Sequence, residues 1–248
     1  MKFADFREYI NQLNWLVVIF TLLVFCGLIK LGLWQSARAV EKEQRLSLIN
    51  QYQNQDALKL AEVLTLQAAN ENINDIPVLV KGNFEGDKVF LLDNQTHNGR
   101  LGYRVIQVLK LPKNSLLVNL GWVEGYIDRS KLPNIAGVSG LHEIKGHIRL
   151  IEKGIVLADA KFVQPQWPLR VQTIEIDKFS TLIGQKLLPF VLYLDTKESL
   201  GFEKNWRPIV MPPEKHRAYA FQWFSLATAW VILMITASVW FFKNRNEK

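Results

Sequence analysis

Two long apolar stretches constrain this chain of 248 residues more than any other feature. Residues 15–34 (WLVVIFTLLVFCGLIKLGLW) contain one charge, Lys30, and a tryptophan stands at each end. Residues 218–242 (AYAFQWFSLATAWVILMITASVWFF) contain no charge. A helix of about 20 residues is roughly 30 Å long, which matches the hydrocarbon core of a bilayer. The pattern therefore predicts two transmembrane helices, at 15–34 and at 218–242.

Two other interpretations of these stretches are weaker. A cleaved signal peptide usually has a shorter apolar core and a small-residue cleavage site, and no such site follows Leu33. A buried helix of a soluble protein is rarely apolar on every side, as residues 218–242 are. We therefore expect two uncleaved spans.

Two spans place the tails 1–14 and 243–248 on one side of the membrane and residues 35–217 on the other. Basic residues flank both sides, but long loops are translocated largely regardless of charge, so we expect cytoplasmic tails. No arginine- and serine-rich transit segment precedes the first span, which favours a bacterial inner (cell) membrane protein, multi-pass, with a periplasmic central domain. Cys26 is the only cysteine, which excludes a disulfide scaffold and fits an oxidising compartment.

The central domain changes from helical to strand patterns near residue 76. Segment 35–53 is polar and predicts a helical stalk that continues the first span, and Asp56 can cap a helix over 57–68. A second short helix is predicted at Asp177–Ile183. Apolar runs between turn residues predict strands at 76–84, 88–92, 101–111, 115–123, 142–151, 155–163, 170–176 and 189–195.

The predicted fold class is two transmembrane α-helices flanking an extracytoplasmic α+β domain that is mainly antiparallel β and barrel-like. Strands that are apolar on both faces suit the centre of a curled sheet. Turns are expected at Glu85-Gly86-Asp87 and at 112–114, and a loop at 93–100.

Composition and motifs exclude several function classes. The net charge of +7 permits an anionic partner, but the charges of the central domain are balanced, so we expect no nucleic-acid partner. There is no Walker loop, GxGxxG, GxSxG or HExxH motif, so we expect no enzyme. His142 and His147 are five residues apart, on opposite faces of a strand, which does not favour a shared metal. His97 is expected to be a solvated turn residue.

His216 is the histidine with the most informative position, because it stands where the second span begins. Helical spacing puts it on one face with Tyr219, Ala220, Trp223, Ala227, Trp230 and Met234. Imidazole is a common axial ligand of haem iron, and an apolar groove lined by aromatic rings suits a porphyrin. Arg217 or Lys215 could meet the propionates. The alternative is that these residues are headgroup anchors and an aromatic belt, and spacing alone favours that alternative.

Several segments, in order along nearly the whole chain, resemble the surfeit-locus-one family, the Surf- or Shy-type cytochrome c oxidase assembly proteins. They are LGLWQSARAVEKEQRL (31–46), VLVKGNF (78–84), GYRV (102–105), LLVNLGWV (116–123) and HRAYAFQWFSLA (216–227). The sequence departs from the family at Leu120, where members usually have arginine. Gly82, Gly102, Gly121 and Trp122 are expected to be structural.

The resemblance implies a respiratory-chain chaperone: an assembly factor for a haem-copper terminal oxidase that binds haem a and assists its insertion into the catalytic subunit. It implies His216 as the ligand of the haem iron, and the aromatic face adds Tyr219 and Trp223 as cofactor-binding residues. The implied partners are the catalytic subunit of the oxidase, haem a synthase and membrane lipid. The alternative is a cofactor-free membrane scaffold that holds the oxidase subunit during biogenesis.

Overall fold

The computed structural model describes residues 15–53, 55–151 and 166–246. The chain divides into two compact units. One unit combines the two ends of the chain, up to Leu48 and from Ile209 onward, and the other comprises Ile49–Pro208.

The first unit contains the long helix α4 (Pro213–Asn246) and most of the long helix α1 (Trp15–Gln53), whose last residues, from Ile49 onward, belong to the second unit. Both are long and apolar enough to cross a membrane, and only 6% of the most apolar stretch of either helix is buried. A core helix of a soluble protein would be mostly buried, so these exposed apolar surfaces indicate membrane association. Helix α1 covers both the predicted first span and the polar segment 35–53 without a break.

The two helices contact each other in antiparallel order. The indole Nε1 of Trp230 donates to the backbone oxygen of Thr21 at 3.2 Å, and its ring packs edge-on against Phe20. Farther along, the ring of Phe224 lies over Gly32, where an added Cβ would be 2.5 Å from a ring carbon. A glycine at this point lets the aromatic ring approach the backbone of α1, as small residues do in membrane helix pairs.

The second unit is a mixed seven-stranded sheet with two short helices, α2 (Leu60–Ala68) and α3 (Ile176–Ile183). Its strands are β1 (Leu58–Lys59), β2 (Pro77–His97), β3 (Arg100–Lys110), β4 (Ser115–Glu124), β5 (Gly140–Leu150), β6 (Leu169–Val171) and β7 (Leu187–Leu194). The strand order is β1-β2-β3-β4-β7-β5, with β5 also paired to β2 and β6 beside β2.

The prediction of a mainly antiparallel domain is corrected by this pairing. Strands β2–β3, β3–β4, β2–β5 and β5–β7 are antiparallel, but β1–β2, β2–β6 and β4–β7 are parallel, so the sheet is mixed. The parallel β4–β7 pair joins strands far apart in sequence, with α3 immediately before β7. No local pattern reveals such a pairing, because it depends on where the chain returns to the sheet.

Strand β2 corrects another prediction, because it runs through the expected turn at Glu85-Gly86-Asp87. The first half of β2 pairs with β5 and the second half with β3, and the register shifts between Phe84 and Val89. Buried Gln107 provides hydrogen-bond partners where the register shifts: its amide nitrogen donates to the backbone oxygens of Glu85 and Val138, at 3.1 and 3.0 Å. The turn-forming residues therefore make a bulge inside one long strand.

The reversal between β2 and β3 occurs instead at Asn98-Gly99. His97 and Arg100 are paired across it, and both turn residues have positive φ, 48° and 76°. Two left-handed residues in sequence form the turn that matches the twist of a tight hairpin, for which Asn-Gly is the preferred pair. The predicted loop over 93–100 is therefore mostly strand.

Other local predictions agree more closely. The β3–β4 hairpin is confirmed, and α3 ends at Gly184, whose φ of 68° caps the helix. Helix α2 begins at Leu60 rather than after Asp56, because residues 58–59 pair with β2 and the Glu62 carboxylate accepts from the Lys59 amide at 2.7 Å. The strand predicted at 155–163 lies outside the described residues.

Apolar side chains fill both faces of the sheet. One core contains residues of β2, β3, β4, β5 and β7, and Leu120 is among them. The other core lies between the opposite face of the sheet and α3. In this second core, the ring of Phe90 stacks on that of Phe179, with ring centroids 4.3 Å apart. Leu120 is fully buried, so an apolar side chain suits this position. Trp122 is 4% exposed and donates to the Gln95 backbone oxygen at 2.8 Å, which agrees with a structural role.

Candidate functional site

His216 lies in the first turns of α4 and is only 7% exposed. Helix α4 begins at Pro213, and proline is favoured at the first position of a helix because its missing N–H would have no partner there. The Nδ1 atom of His216 is 2.7 Å from the side-chain oxygen Oε1 of Gln35, on α1. The imidazole is therefore held between the two helices.

Gln35 is a residue that sequence reasoning missed. It is 9% exposed, and the neighbouring turns of α1 place buried Gly32 and Ala39 on the same side of the helix. Spacings of three and four residues put these three positions on one face. The sequence does show a glutamine between two small residues at helical spacing. Only the packing of the two helices shows that Gln35 faces the imidazole of His216.

Tyr219 and Trp223, the other predicted cofactor-binding residues, lie on α4 after His216. Tyr219 is 46% exposed, whereas Trp223 is half-buried. On the same helix, Ala220 and Ala227 are 5% and 1% exposed. Much of the face predicted as an apolar groove is therefore in contact with other parts of the helix pair, and Tyr219 lies at its edge.

The basic residues beside His216 differ in their contacts. The guanidinium of Arg217 donates to the carboxylate of Glu43 on α1, which leaves it less available to an anionic ligand. Lys215 is exposed, and within the described ranges its ammonium has no ion-pair partner. Of the two residues expected to meet propionates, Lys215 is thus the one without an ion pair among the described residues.

The other histidines are all in the sheet domain and have separate neighbours. His97 is not a solvated turn residue: it ends β2, and its Nε2 is 2.7 Å from the Glu203 carboxylate. Its ring also packs edge-on against Trp122. His142 packs edge-on against Phe84, and its Nε2 is 3.0 Å from the backbone oxygen of Ser139.

His147 lies beneath Trp206, with ring centroids 3.9 Å apart. Its Nε2 is buried and has no hydrogen-bond partner within the described part of the chain. Burial lowers the pKa of His147 to about 4, because it disfavours the charged imidazolium, and the attraction of Asp195 offsets only part of this effect. His147 is therefore neutral near pH 7, and its ring packs against that of Trp206 at an interplanar angle of 33°.

A cleft of about 660 Å³ opens beside this stacked pair. Its walls combine aromatic and apolar residues with charged ones: Ile49, Tyr52, Asp75, Pro77, Lys145, Gly146, His147, Asp195, Thr196, Lys197, Glu198, Trp206 and Pro208. Its three carboxylates take part in the fold: Asp75 pairs with Arg149 at 3.3 Å, and Asp195 and Glu198 accept from the backbone amides of Lys197 and Lys145 at 3.1 and 2.8 Å. Among the residues that the structure describes, no group of three or more histidine, cysteine or carboxylate side chains could hold a metal ion in this cleft.

Taken together, these features define a class: a membrane-associated protein in which two apolar helices, joined by a buried histidine–glutamine pair, flank a mixed β-sheet domain in the sequence. The model of the SURF1 family matches residues 22–228, which is most of the chain. A SURF1-like protein from Rickettsia bellii (strain RML369-C) is 25% identical over 225 residues, which cover 86% of each chain. The chain belongs to the SURF1 family, whose members are known in general as oxidase assembly factors.

Proposed function

We propose that this protein is an assembly factor for a haem-copper terminal oxidase and that it holds haem a at His216 before the haem enters the catalytic subunit. The family supports the general role in oxidase assembly. The observation that carries the more specific proposal is the buried His216, whose Nδ1 is engaged by Gln35 at 2.7 Å. An imidazole held in this way through one nitrogen keeps the other for a metal.

One side chain of the site, the imidazole of His216, is suited to bind a haem iron. Imidazole is among the usual axial ligands of haem, and the iron would be the Lewis acid that Nε2 binds. The residues of this chain would supply orientation and an apolar surrounding: Gln35 fixes the ring, and Trp223 and Tyr219 offer aromatic surface. Exposed Lys215 offers a cation for an anionic substituent.

The role is one of binding and transfer, and the protein is not an enzyme in this proposal. A carrier must release its cargo, so a single protein ligand serves it better than a closed site with two. The proposed partners are the catalytic subunit of the oxidase, haem a synthase and membrane lipid.

The two apolar helices support the membrane association that the proposed location requires. Both tails lie in the cytoplasm, and the sheet domain lies on the periplasmic side of a bacterial inner membrane. A reporter enzyme fused after Lys248 tests this orientation: a cytoplasm-dependent reporter should be active there, and activity of a periplasm-dependent reporter would contradict it.

The proposed haem ligand is tested by producing the full chain together with haem a synthesis and recording its absorption spectrum after purification. The wild type should carry a Soret band, and His216→Ala should lose most of it. His142→Ala is the matched control, because His142 belongs to the sheet domain, and it should keep the band. Equal spectra for the wild type and His216→Ala would remove His216 from the mechanism.

A cofactor-free scaffold is the second candidate, and the burial of Ala220 and Ala227 favours it, because that face is already in use between helices. Under this function, oxidase activity in cells should survive His216→Ala but not Ala227→Lys, whose charge would disrupt the contact. Loss of oxidase activity in both variants, with the Ala227→Lys protein still present in the membrane, supports the carrier instead.

A further inference from the structure

The contact between Gln35 and His216 selects one form of the imidazole. The acceptor atom is a carboxamide oxygen, which has no proton to donate, and it lies 2.7 Å from Nδ1. With the oxygen in this position, the contact is a hydrogen bond when Nδ1 carries the proton, which puts the lone pair of the neutral ring at Nε2.

This form is not the one that a histidine adopts without a partner, since the Nε2–H tautomer is the common one in water. A ligand bond through Nε2 needs the opposite tautomer. Histidines that bind metals accordingly donate their other N–H to an oxygen, which fixes the tautomer and the orientation of the ring. The carboxamide oxygen of Gln35 occupies the position of that accepting oxygen relative to His216.

The surroundings make the contact between the two side chains strongly directional. Gln35 and His216 are 9% and 7% exposed, and small residues occupy the adjacent buried turns, Gly32 and Ala39 on α1 and Ala220 on α4. Little water competes at such a place, so a hydrogen bond there is stronger than on a surface, and its loss leaves a buried polar group unpaired.

We infer that Gln35 is a positioning residue: it holds His216 as the Nδ1–H tautomer and keeps Nε2 free to bind a metal. The consequence for haem rests on the proposed function above, but the tautomer itself does not. The proposed tautomer and the proposed haem binding can therefore be contradicted by separate experiments.

The tautomer is measured directly on the purified full chain in detergent with ¹⁵N-labelled histidine. The chain has four histidines, and His216→Ala identifies the resonances of the fourth by their loss. The wild type should show His216 as Nδ1–H. Gln35→Leu, which removes the acceptor and leaves an apolar side chain one atom shorter, should shift it to Nε2–H.

Gln222→Leu is the matched control, because Gln222 is an exposed glutamine on α4. It should leave the tautomer of His216 unchanged. The resonances of His147, in the sheet domain, report that the remainder of each variant is folded. An Nε2–H tautomer in the wild type, or an unchanged tautomer in Gln35→Leu with an unchanged His147, overturns the inference.

Titration with haemin then measures the consequence for binding. Gln35→Leu should bind about 10- to 100-fold more weakly than the wild type, as is typical when the partner of a ligating histidine is removed. Gln35→Glu, which accepts the hydrogen bond with a full negative charge, should bind well and shift the reduction potential of the bound haem to lower values.

These titrations separate the two ideas. If haemin binds the wild type and His216→Ala equally, the proposed haem ligand fails, while the tautomer result still stands. If binding depends on His216 but is the same in Gln35→Leu, Gln35 has no positioning role and the carrier function remains.

Discussion

Each of the two units of this protein contains one histidine of interest, and the two are held in different ways: His216 is buried, whereas His147 is half-buried with a buried Nε2. In the helix pair, the ring of His216 has a directed hydrogen bond from Nδ1 to Gln35. In the sheet domain, the ring of His147 packs at a tilt against that of Trp206, and its buried Nε2 has no partner among the described residues. A directed bond fixes a tautomer, whereas stacking and burial keep the ring neutral without choosing which nitrogen is used. Burial alone therefore does not mark a ligand.

The largest expected effect concerns the sheet domain itself. In Gly102→Val, the new Cβ would be 2.1 Å from the backbone oxygen of Val123 and within 3 Å of the Trp122 ring. A backbone atom has little room to move, so we expect a loss of about 3 kcal/mol or more in the free energy of unfolding. Urea unfolding followed by tryptophan fluorescence measures it. Leu101→Val, at an exposed neighbouring position, should cost less than about 1 kcal/mol.

The second prediction separates the two histidines by pH. Because the pKa of folded His147 is about 4 and that of the unfolded residue is near 6.5, only the unfolded chain takes up this proton between those values. Above pH 6.5 His147 is neutral in both states, so it does not lower the free energy of unfolding. As the pH falls from 6.5 to 4, the free energy of unfolding decreases by about 1.4 kcal/mol per pH unit and by about 3 kcal/mol in all. Unfolding measured from pH 7 to 4 should show this loss.

His147→Phe keeps a flat ring against Trp206 but cannot titrate, so its stability should change less with pH over this range. It also removes the unpaired Nε2, so its stability at pH 7 should not fall. His142→Phe is the control and should retain the slope of the wild type. A wild-type slope in His147→Phe would mean that another group causes the loss.

The third prediction concerns the contact between the helices. In Gly32→Val, the added atoms would overlap the ring of Phe224, and we expect a loss of about 1–3 kcal/mol in the stability of the helix pair. Gly27→Val is the matched control on the same helix, because no atom lies within 4 Å of the added Cβ. Thermal unfolding in detergent compares the two, and the tautomer of His216 should become mixed only in Gly32→Val. Equal effects of both changes would argue against close packing at Gly32.

The smallest effect is expected for the ion pair between Glu43 and Arg217. Their side chains are 39% and 57% exposed, so water and salt screen the attraction. A double-mutant cycle with Glu43→Gln and Arg217→Gln should give a coupling energy of about 0.5 kcal/mol that decreases with added salt. A coupling above about 2 kcal/mol would show that this pair, as well as Gln35, holds the helices in register near His216.

Some residues of the candidate site can be predicted from the sequence, and one cannot. His216, Tyr219 and Trp223 stand out by their spacing at the start of the second apolar stretch, and the resemblance of HRAYAFQWFSLA adds weight to the histidine. Gln35 does not stand out, because a glutamine after Trp34 reads equally well as the polar end of a span. Its partner is 181 residues away, and only the packing of α1 on α4 brings the two together.

The amino-acid sequence by itself determined the elements that depend on neighbours along the chain: the two apolar helices, the β3–β4 hairpin and the end of α3 at Gly184. Local period, turn residues and backbone freedom act within a few residues, so a pattern reveals them. The tertiary structure alone decided the continuity of β2 through Glu85-Gly86-Asp87, the parallel β4–β7 pair and the Gln35–His216 contact. Each depends on groups brought from distant segments, whose hydrogen bonds and packing override the local preference.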